Sequence, residues 1–295
     1  MNLLFFLGKG GVGKSSLSVL SALSAAQSGY SVGLISLDRA HNLFDILGGR
    51  KNDASFPVPV IEADIDRFVQ NFIGESESQL RKSYSYLTAI NLEKHFKILR
   101  YAPGMEEYGL LLAFQHYVRK FEKSDYLIFD MPPTAISLKF FALPSVSLVW
   151  LDQLLNLREE ILNKKEIISG VRLGRKTLET DKIKKNLIEQ QKRYQMINSL
   201  FRDGHNCRLH IVTTPDSISV AESKRIINFL KDLRISVHKL LVNQHSERDD
   251  IEPFRLFFKK NNAYFIPKSA YPLIGVQNLE KYLNQNEKVA RWLVK

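Results

Sequence analysis

A glycine-rich loop at 8–16 constrains this chain more than any other part of its sequence. The loop has the sequence GKGGVGKSS, which matches the pattern GxxxxGK[ST]. An apolar segment at 3–7 precedes it, and a stretch rich in small residues at 15–28 follows it. Because a strand before the loop and a helix after it are the context of a phosphate-binding turn, the sequence predicts a P-loop nucleotide site.

Each residue type in this loop has a chemical role. Glycines let backbone N–H groups turn inward to form a nest for anions, and the following helix directs its N-terminus at the phosphates. Lys14 is predicted to neutralise the β- and γ-phosphates of ATP. The hydroxyl of Ser15 is predicted to bind Mg²⁺, which prefers hard oxygen ligands. The candidate nucleotide-binding residues are Gly8, Gly10, Gly11, Val12, Gly13, Lys14, Ser15 and Ser16.

Two carboxylates follow apolar segments, at the edge where parallel sheets bind ligands. Asp38 comes directly after the segment 32–37, and Asp130 ends the segment 126–130. An acid near the phosphates can orient or deprotonate the attacking water, so Asp38 is the candidate catalytic carboxylate, with a turn or helix-capping aspartate as the alternative. An apolar run that ends in Asp is typical of a Walker B element. Asp130 is therefore predicted to hold Mg²⁺, with strand-end capping as the alternative.

Short apolar runs alternate with amphipathic stretches along the chain, as they do in a parallel α/β sheet. We predict a single P-loop ATPase domain over 1–295, with a mostly parallel, doubly wound sheet of about eight strands. Two intervals, about 64–123 and 152–204, are too long for simple crossovers and predict helical insertions on the carboxyl side of the sheet. The predicted strands lie at 3–7, 32–37, 58–62, 126–130, 145–151, 208–213, 237–242 and 263–266.

Composition narrows the chemistry further. No segment has the roughly 18 uninterrupted apolar residues of a membrane span, so a cytoplasmic location is predicted. Cys207 is the only cysteine, which excludes a disulfide framework and a paired-cysteine metal site within one chain. The formal net charge of +11 favours an acidic partner, which could be a nucleotide, a nucleic acid or an anionic membrane.

The loop has a second lysine, Lys9. The resulting form KGGVGK[ST] resembles the deviant Walker A ATPases, which include partition, division-site, nitrogenase-iron-protein and arsenical-pump enzymes. In that group this lysine crosses a dimer interface to the partner's nucleotide and stabilises developing charge, as an arginine finger does. The resemblance therefore implies that Lys9 is catalytic and that the chain forms a homodimer around ATP.

Further segments resemble the arsenical-pump (ArsA) and guided-entry tail-anchored-protein-targeting ATPases in particular. Asp38 lies in S-x-D-x-A-H-N-L, which resembles their switch I, and Asp130 begins DMPPTAISLKFFALP, which resembles their switch II. In that family the Asn of VNQ contacts adenine, so the resemblance makes Asn243 a base-contact candidate. The segment PKSAYPLIGVQNL resembles the adenine loop and implies a nucleotide contact at Pro267. Other matching segments lie at 103–107 and 214–230.

The chain departs from the family pattern at four positions. Because the loop lysines and both acids are retained, hydrolysis is still predicted, and a nucleotide-binding protein with decayed hydrolysis is the alternative. Cys207 alone cannot supply the several thiolates that arsenite or zinc would need in these relatives, so direct activation by arsenite is not expected. The departures are Arg39 in place of Pro, Ile136 in place of His, Lys139 in place of Arg and Ile274 in place of Arg.

The sequence leaves the client and the partner open. One hypothesis is a switch that handles a hydrophobic segment or a membrane protein, with apolar side chains between Phe72 and Leu99 lining a groove. Packing of the insertion's own core is the alternative for those side chains. A second hypothesis is a subunit that drives an arsenical pump, and a third is a partition-type ATPase that binds nucleic acid or membrane. The segment 152–204 mixes acids with its lysines, as a solvated helical face does, which disfavours nucleic acid and leaves peripheral membrane contact open.

Overall fold

The computed structural model describes residues 1–40, 42–49, 55–83, 98–169, 181–249, 254 and 263–294. The described strands form one parallel sheet. They are β1 (Asn2–Leu7), β2 (Val32–Ser36), β3 (Val60–Glu62), β4 (Tyr126–Asp130), β5 (Cys207–Thr213), β6 (Val237–His245) and β7 (Ala263–Pro267). Their order across the sheet is β3-β2-β4-β1-β5-β6-β7. This arrangement confirms the predicted α/β class with a parallel sheet.

Helices connect these strands. In chain order they are α1 (Lys14–Gln27), α2 (Leu43–Ile46), α3 (Ile65–Ser83), α4 (Met105–Lys120), α5 (Thr134–Ser169), α6 (Lys182–Arg202), α7 (Ser217–Asp232), α8 (Val276–Gln285) and α9 (Glu287–Val294). Part of the segment proposed to line a groove, 84–97, lies outside the described residues, as does His41 of the switch I segment. The organisation as one domain with two insertions stays a prediction.

The strand predicted at 145–151 is wrong, because these residues lie inside α5. The run is short and apolar, and a window of that length does not distinguish a strand from part of a helix. Over a longer window the apolar residues recur at helical spacing, for example Trp150, Leu154, Leu157 and Ile161.

The central strand β1 is covered on both faces of the sheet. Phe5 stacks on Phe129 of β4, with ring centroids 5.0 Å apart, and also contacts Phe114 of α4 at 5.9 Å. Phe6 points to the opposite face, where it belongs to the core formed with α1, α8 and α9. Strands that are buried on both faces are uniformly apolar, which explains the unbroken run at 3–7. The loop at 8–16 therefore follows a strand that is held in place by packing on both faces.

The C-terminal helix α9 is attached to the helix that follows this loop. The hydroxyls of Ser21 and Ser24 in α1 donate to the carbonyls of Leu293 and Ala290, at 2.8 and 3.0 Å. Leu293 lies in the last turn of α9, where carbonyls have no partner within the helix, so Ser21 satisfies a group that would otherwise be unpaired. The contacts hold α9 against α1.

The chain divides into two compact units. One comprises Met1–Phe140 and Gly204–Lys295 and contains the sheet, and the other comprises Phe141–Asp203. The second unit contains most of α5 and all of α6. Within it Arg158 forms an ion pair with Asp181 at 2.9 Å, and Phe141 contacts Phe201 with ring centroids 4.9 Å apart.

One helical segment of the described residues, Thr134–Lys164, is long and apolar enough to cross a membrane by length and composition. Only 28% of its most apolar window is buried. The core helix of a soluble protein can pass the same test, so one such helix is weak support for a membrane span.

Candidate nucleotide site

The loop after β1 begins and ends with glycines that another residue could replace only with strain. Gly8 has a φ of +153°, and a Cβ there would lie 2.1 Å from the carbonyl oxygen of Val212. Gly13 precedes α1 with a φ of +93°, and a Cβ there would lie 2.2 Å from Nδ2 of Asn243. The loop therefore packs directly against β5 and β6, which holds its backbone N–H groups in place for an anion.

A buried lysine lies behind the exposed tip of this loop. Gly10 and Gly11 form the exposed tip, whereas Val12 is buried. Lys14 is only 6% exposed, and its Nζ donates to the backbone carbonyl of Lys9 at 3.4 Å. This contact keeps the ammonium group at the loop, where it and the N-terminus of α1 both favour a negatively charged ligand.

Asp130 and Ser15, which the sequence analysis proposed separately as Mg²⁺ ligands, lie in contact with each other. The Ser15 hydroxyl donates to Oδ2 of Asp130 at 2.7 Å. Burial raises the pKa of Asp130 to about 7, against the lowering effects of the Ser15 hydrogen bond and the charge of Lys14. The nearby charge of Asp38 raises this pKa further. Ser16, the predicted nucleotide-binding residue that follows Ser15 in α1, is half-buried.

The other carboxylate oxygen of Asp130, Oδ1, is buried and has no hydrogen-bond partner within the described residues. A buried acceptor without a partner is costly, and a cation or its bound water would satisfy it. Mg²⁺ takes hard oxygen ligands from one or two protein side chains together with phosphate oxygens. The oxygen donors of Ser15 and Asp130 therefore fit this ion.

Asp38 follows β2, whose last residue Ser36 pairs in register with Asp130 of β4. Oδ1 of Asp38 accepts the N–H of Ala40 at 3.1 Å, which is the local turn contact that the sequence offered as an alternative. Oδ2 makes no hydrogen bond within the described residues. The side chain thus combines a fixed orientation with one oxygen left for a water molecule, and its catalytic role stays a prediction.

Lys9 is half-buried and its charge acts on the loop that follows β5. Hydrogen bonds from Thr214 and Ser219 hold the pKa of Asp216 below its usual range, and the charge of Lys9 acts in the same direction. Within one chain, Lys9 therefore lies close enough to interact with this acidic loop. The predicted role of Lys9 across a dimer interface stays a prediction.

Asn243 has a contact that the sequence did not predict. Its Nδ2 donates to the backbone carbonyl of Val12 at 2.9 Å, across 231 positions of the chain. Because a carbonyl can only accept, the amide is oriented with Nδ2 towards the loop and Oδ1 left as an acceptor. An acceptor matches the exocyclic amine of adenine. The predicted base contact stays a prediction, and the observed contact shows that Asn243 also braces the P-loop.

Pro267 ends β7 and pairs with His245 at the end of β6, two residues beyond Asn243. The hydroxyl of Tyr282 donates to its carbonyl at 2.6 Å, and burial raises the pKa of Tyr282 to about 12. The loop beyond Pro267 is joined to the switch I side of the sheet, because the N–H of Gly275 donates to the carbonyl of Ile46 at 2.7 Å. The predicted contact of Pro267 with nucleotide stays a prediction.

Sequence reasoning also missed Glu222. Its carboxylate accepts a hydrogen bond from the hydroxyl of Thr134, the first residue of α5, at 2.6 Å. The two residues are 88 positions apart, and no local pattern relates them. This contact joins the segment after Asp130 to α7.

A parallel sheet whose central strand leads into a glycine nest, with a buried lysine and a serine–aspartate pair at its carboxyl edge, defines the P-loop nucleotide hydrolase class. The family model of the anion-transporting ATPases matches residues 1–264. The chain belongs to this family and is an ATPase. Both conclusions confirm what the motifs predicted.

The curated relatives agree with this assignment. A protein of Aquifex aeolicus named arsenical pump-driving ATPase 2 is 26% identical over 305 residues, which cover 96% of this chain and 98% of the relative. The ATPase get3 of Aspergillus terreus is 27% identical over 252 residues, which cover 82% of this chain and 72% of the relative. The ATPase ASNA1 homolog of Dictyostelium discoideum is 27% identical over 250 residues, with coverages of 83% and 73%.

Proposed function

We propose that this ATPase is a homodimeric, Mg²⁺-dependent conformational switch that couples ATP hydrolysis to a client with an apolar helical segment. One observation supports the coupling above all. The helix α5 begins at Thr134, four residues after Asp130, and farther along the same helix has an exposed apolar stripe. A change near Asp130 therefore acts on the start of the element that presents the stripe.

The residues of the site divide the chemistry between them. Lys14 and the loop N–H groups bind the phosphates, and Ser15 and Asp130 would hold Mg²⁺, which neutralises phosphate charge when bound. Asp38 orients or deprotonates the attacking water. Lys9 of the partner subunit stabilises the charge that develops in the transition state. Asn243 and Pro267 contact the adenine.

The apolar stripe of α5 lies in the helical unit. Its side chains are between 42% and 66% exposed. Four of them are separated by four, three and four residues, which is the spacing of a seam that packs against another helix. The stripe consists of Val146, Val149, Trp150, Leu154, Leu157 and Ile161.

The stripe lies in a different part of the chain from the groove that the sequence suggested between Phe72 and Leu99. Phe72 packs against Tyr108 with ring centroids 4.7 Å apart, as expected for a residue of the insertion's own core. We therefore assign the client surface to α5. We expect the protein to act in the cytoplasm, with peripheral membrane contact through the same apolar face as the alternative.

A pump-driving role that depends on arsenite has no support in the described residues. Cys207, the single cysteine of the sequence, is buried in β5. One buried thiol cannot provide the set of thiolates that arsenic(III) requires.

The first experiment measures ATP hydrolysis against enzyme concentration, with Lys9→Ala and Asp38→Asn alongside. Specific activity should rise with concentration, and loss of an interfacial cation should lower kcat by about 10³-fold. Lys231→Ala, an exposed lysine of α7, is the matched control. If the wild-type rate does not exceed that of the two variants, the chain is a nucleotide-binding protein whose hydrolysis has decayed.

The client surface is tested by binding of a fluorescent 20-residue apolar helical peptide, followed by anisotropy with ATP or ADP. Leu157→Asp should abolish binding that depends on nucleotide, because a charge in a helix–helix seam is desolvated without a partner. Asn156→Asp introduces the same charge at the exposed neighbouring position and is the control. Equal binding by both variants would refute this surface, and binding to anionic vesicles instead of the peptide would support the membrane alternative.

A further inference from the structure

Two cationic side chains near the nucleotide site form ion pairs with adjacent acids of one helix. Arg39, the residue after Asp38, lies 3.5 Å from Glu106 through Nε. Lys139, in the second turn of α5, lies 3.1 Å from Glu107 through Nζ. Glu106 and Glu107 are consecutive residues in the first turn of α4. The segments that follow β2 and β4 thus contact the same helical turn.

Arg39 also contacts a second helix. Its Nη2 lies 2.9 Å from Oδ1 of Asp66, in the first turn of α3. One guanidinium group therefore faces carboxylates from α3 and from α4. A planar fork of N–H donors can serve two such acceptors at once, which a lysine cannot do in the same way.

The two helices that receive these pairs are packed firmly together. Gly109 of α4 is so close to α3 that a Cβ there would lie 2.6 Å from Cγ2 of Val69. Phe68 of α3 also contacts Tyr117 of α4, with ring centroids 5.9 Å apart. Because closely packed interiors transmit strain, a side chain that pairs with either helix is coupled to both helices.

The Glu107 carboxylate differs from an ordinary surface acid. Its side chain is 10% exposed, whereas that of Lys139 is 69% exposed. Within the described residues Lys139 is the only partner of this carboxylate. A buried charge is costly unless it is paired, so Lys139 is held at this position more strongly than an exposed pair would hold it.

We propose that the first turn of α4 is a shared anchor that positions both acid-bearing segments of the nucleotide site, with Arg39 and Lys139 as the positioning residues. Arg39 fixes the backbone next to Asp38, and Lys139 fixes the helix that begins after Asp130. A movement of either segment on nucleotide binding strains the pair that holds the other. The effect on catalysis rests on the proposed role of Asp38, whereas the anchoring itself does not.

The test compares Arg39→Gln and Lys139→Gln with Arg67→Gln. Arg67 is an exposed arginine of α3 and has no ion pair within the described residues, so the control removes the same charge from the same region. Hydrogen exchange of segments 36–49 and 130–140 is measured in the full chain without nucleotide. We expect faster exchange in both segments for Arg39→Gln and for Lys139→Gln, and no change for Arg67→Gln.

Kinetics provide the second readout. Arg39→Gln should lower kcat about two- to fivefold at an unchanged KM for ATP, which is the size of effect that an exposed ion-pair network has. The wild-type rate should fall with added NaCl, and that of the variant should fall less, because salt screens exposed pairs. Arg39→Lys retains the charge without the fork and should recover part of the loss.

Destabilisation by Lys139→Gln would be caused by the unpaired carboxylate of Glu107. The double variant Lys139→Gln/Glu107→Gln removes that buried charge as well. It therefore tests the loss of the ion pair without leaving an unpaired carboxylate. Exchange rates and kcat equal to those of Arg67→Gln in every variant would overturn the anchor. If Asp38→Asn keeps full turnover, the proposed role of Asp38 fails, and the exchange result still decides whether the anchor exists.

Discussion

Strand β1 and helix α5 are both apolar, but they expose their side chains very differently. Phe5 in β1 has no exposed surface, whereas Trp150 in α5 is 66% exposed. A central strand of a parallel sheet is covered on both faces by helices, and all residues of β1 after Asn2 are buried. An apolar helix has a stripe that needs cover, and the helical unit of this chain leaves the α5 stripe exposed within the described residues. This exposed apolar stripe is the basis of the proposed client surface.

Within the sheet unit, Gly8→Ala is expected to affect both nucleotide binding and stability. The added Cβ would meet the Val212 carbonyl, and the backbone would have to move. We expect loss of ATP binding and a decrease of about 3 kcal/mol or more in the free energy of unfolding, measured by urea denaturation. Gly10→Ala is the control, because a Cβ there meets nothing within 4 Å. Equal stabilities would contradict the close packing of the loop against β5.

The contrast between the two regions is tested directly by Phe5→Ala and Trp150→Ala. The first removes a fully buried ring and should cost about 3–5 kcal/mol of unfolding free energy. The second removes a larger but exposed ring and should change stability by no more than about 0.5 kcal/mol. Thermal and urea unfolding measure both. A large loss for Trp150→Ala would mean that the stripe is a structural core and not a binding face.

The pH dependence of stability follows from Asp130. Its pKa in the folded protein is raised to about 7 from 3.8, chiefly by burial. A raised acid pKa stabilises the fold at low pH, so this contribution should be lost as pH rises from 3.8 through about 7. Thermal unfolding without Mg²⁺ should show the loss, and Asp130→Asn should remove it. Added Mg²⁺ should restore stability at high pH.

His210 has the opposite effect on the pH dependence of stability, so its contribution must be distinguished from that of Asp130. Burial, followed by the charges of Lys239, His238 and Arg208, holds the pKa of His210 well below 6.5. Near pH 6.5 His210 binds a proton in the unfolded chain but not in the folded chain. Stability should therefore fall as pH drops below that value. In Asp130→Asn the loss of stability below pH 6.5 caused by His210 should remain. If the stability of Asp130→Asn does not change between neutral pH and pH 5, the burial of His210 is contradicted.

A smaller effect is expected from Asn243→Leu. The variant loses the hydrogen bond to Val12 and leaves that carbonyl without its partner. Affinity for ATP should fall about tenfold, as expected when a buried acceptor loses its donor, and any preference for ATP over GTP should decrease. Binding of fluorescent analogues of both nucleotides measures this. Asn278→Leu is the control, since the hydrogen bonds of the Asn278 side chain to the carbonyls of Pro272 and Ile274 are exposed.

The site was predictable wherever its residues are close in the chain. The loop at 8–16 is a single local motif, Asp38 directly follows an apolar segment, and Asp130 ends another. Contacts across long sequence distances were not predictable, and the pairs of Arg39 and Lys139 with α4 are examples. Both residues were recognised only as departures from a family pattern, because nothing in the sequence next to them indicates an acidic partner.

The sequence by itself determined the P-loop, the parallel sheet and the family, because strand, turn and helix signals are local and repeat along the chain. The tertiary structure decided which apolar residues are buried. It showed that 145–151 belongs to a helix, that the α5 stripe is exposed, and that Asn243 braces the loop at Val12. Burial and long-range hydrogen bonds depend on which segments are neighbours in space. The order of the strands in the sheet determines these neighbours.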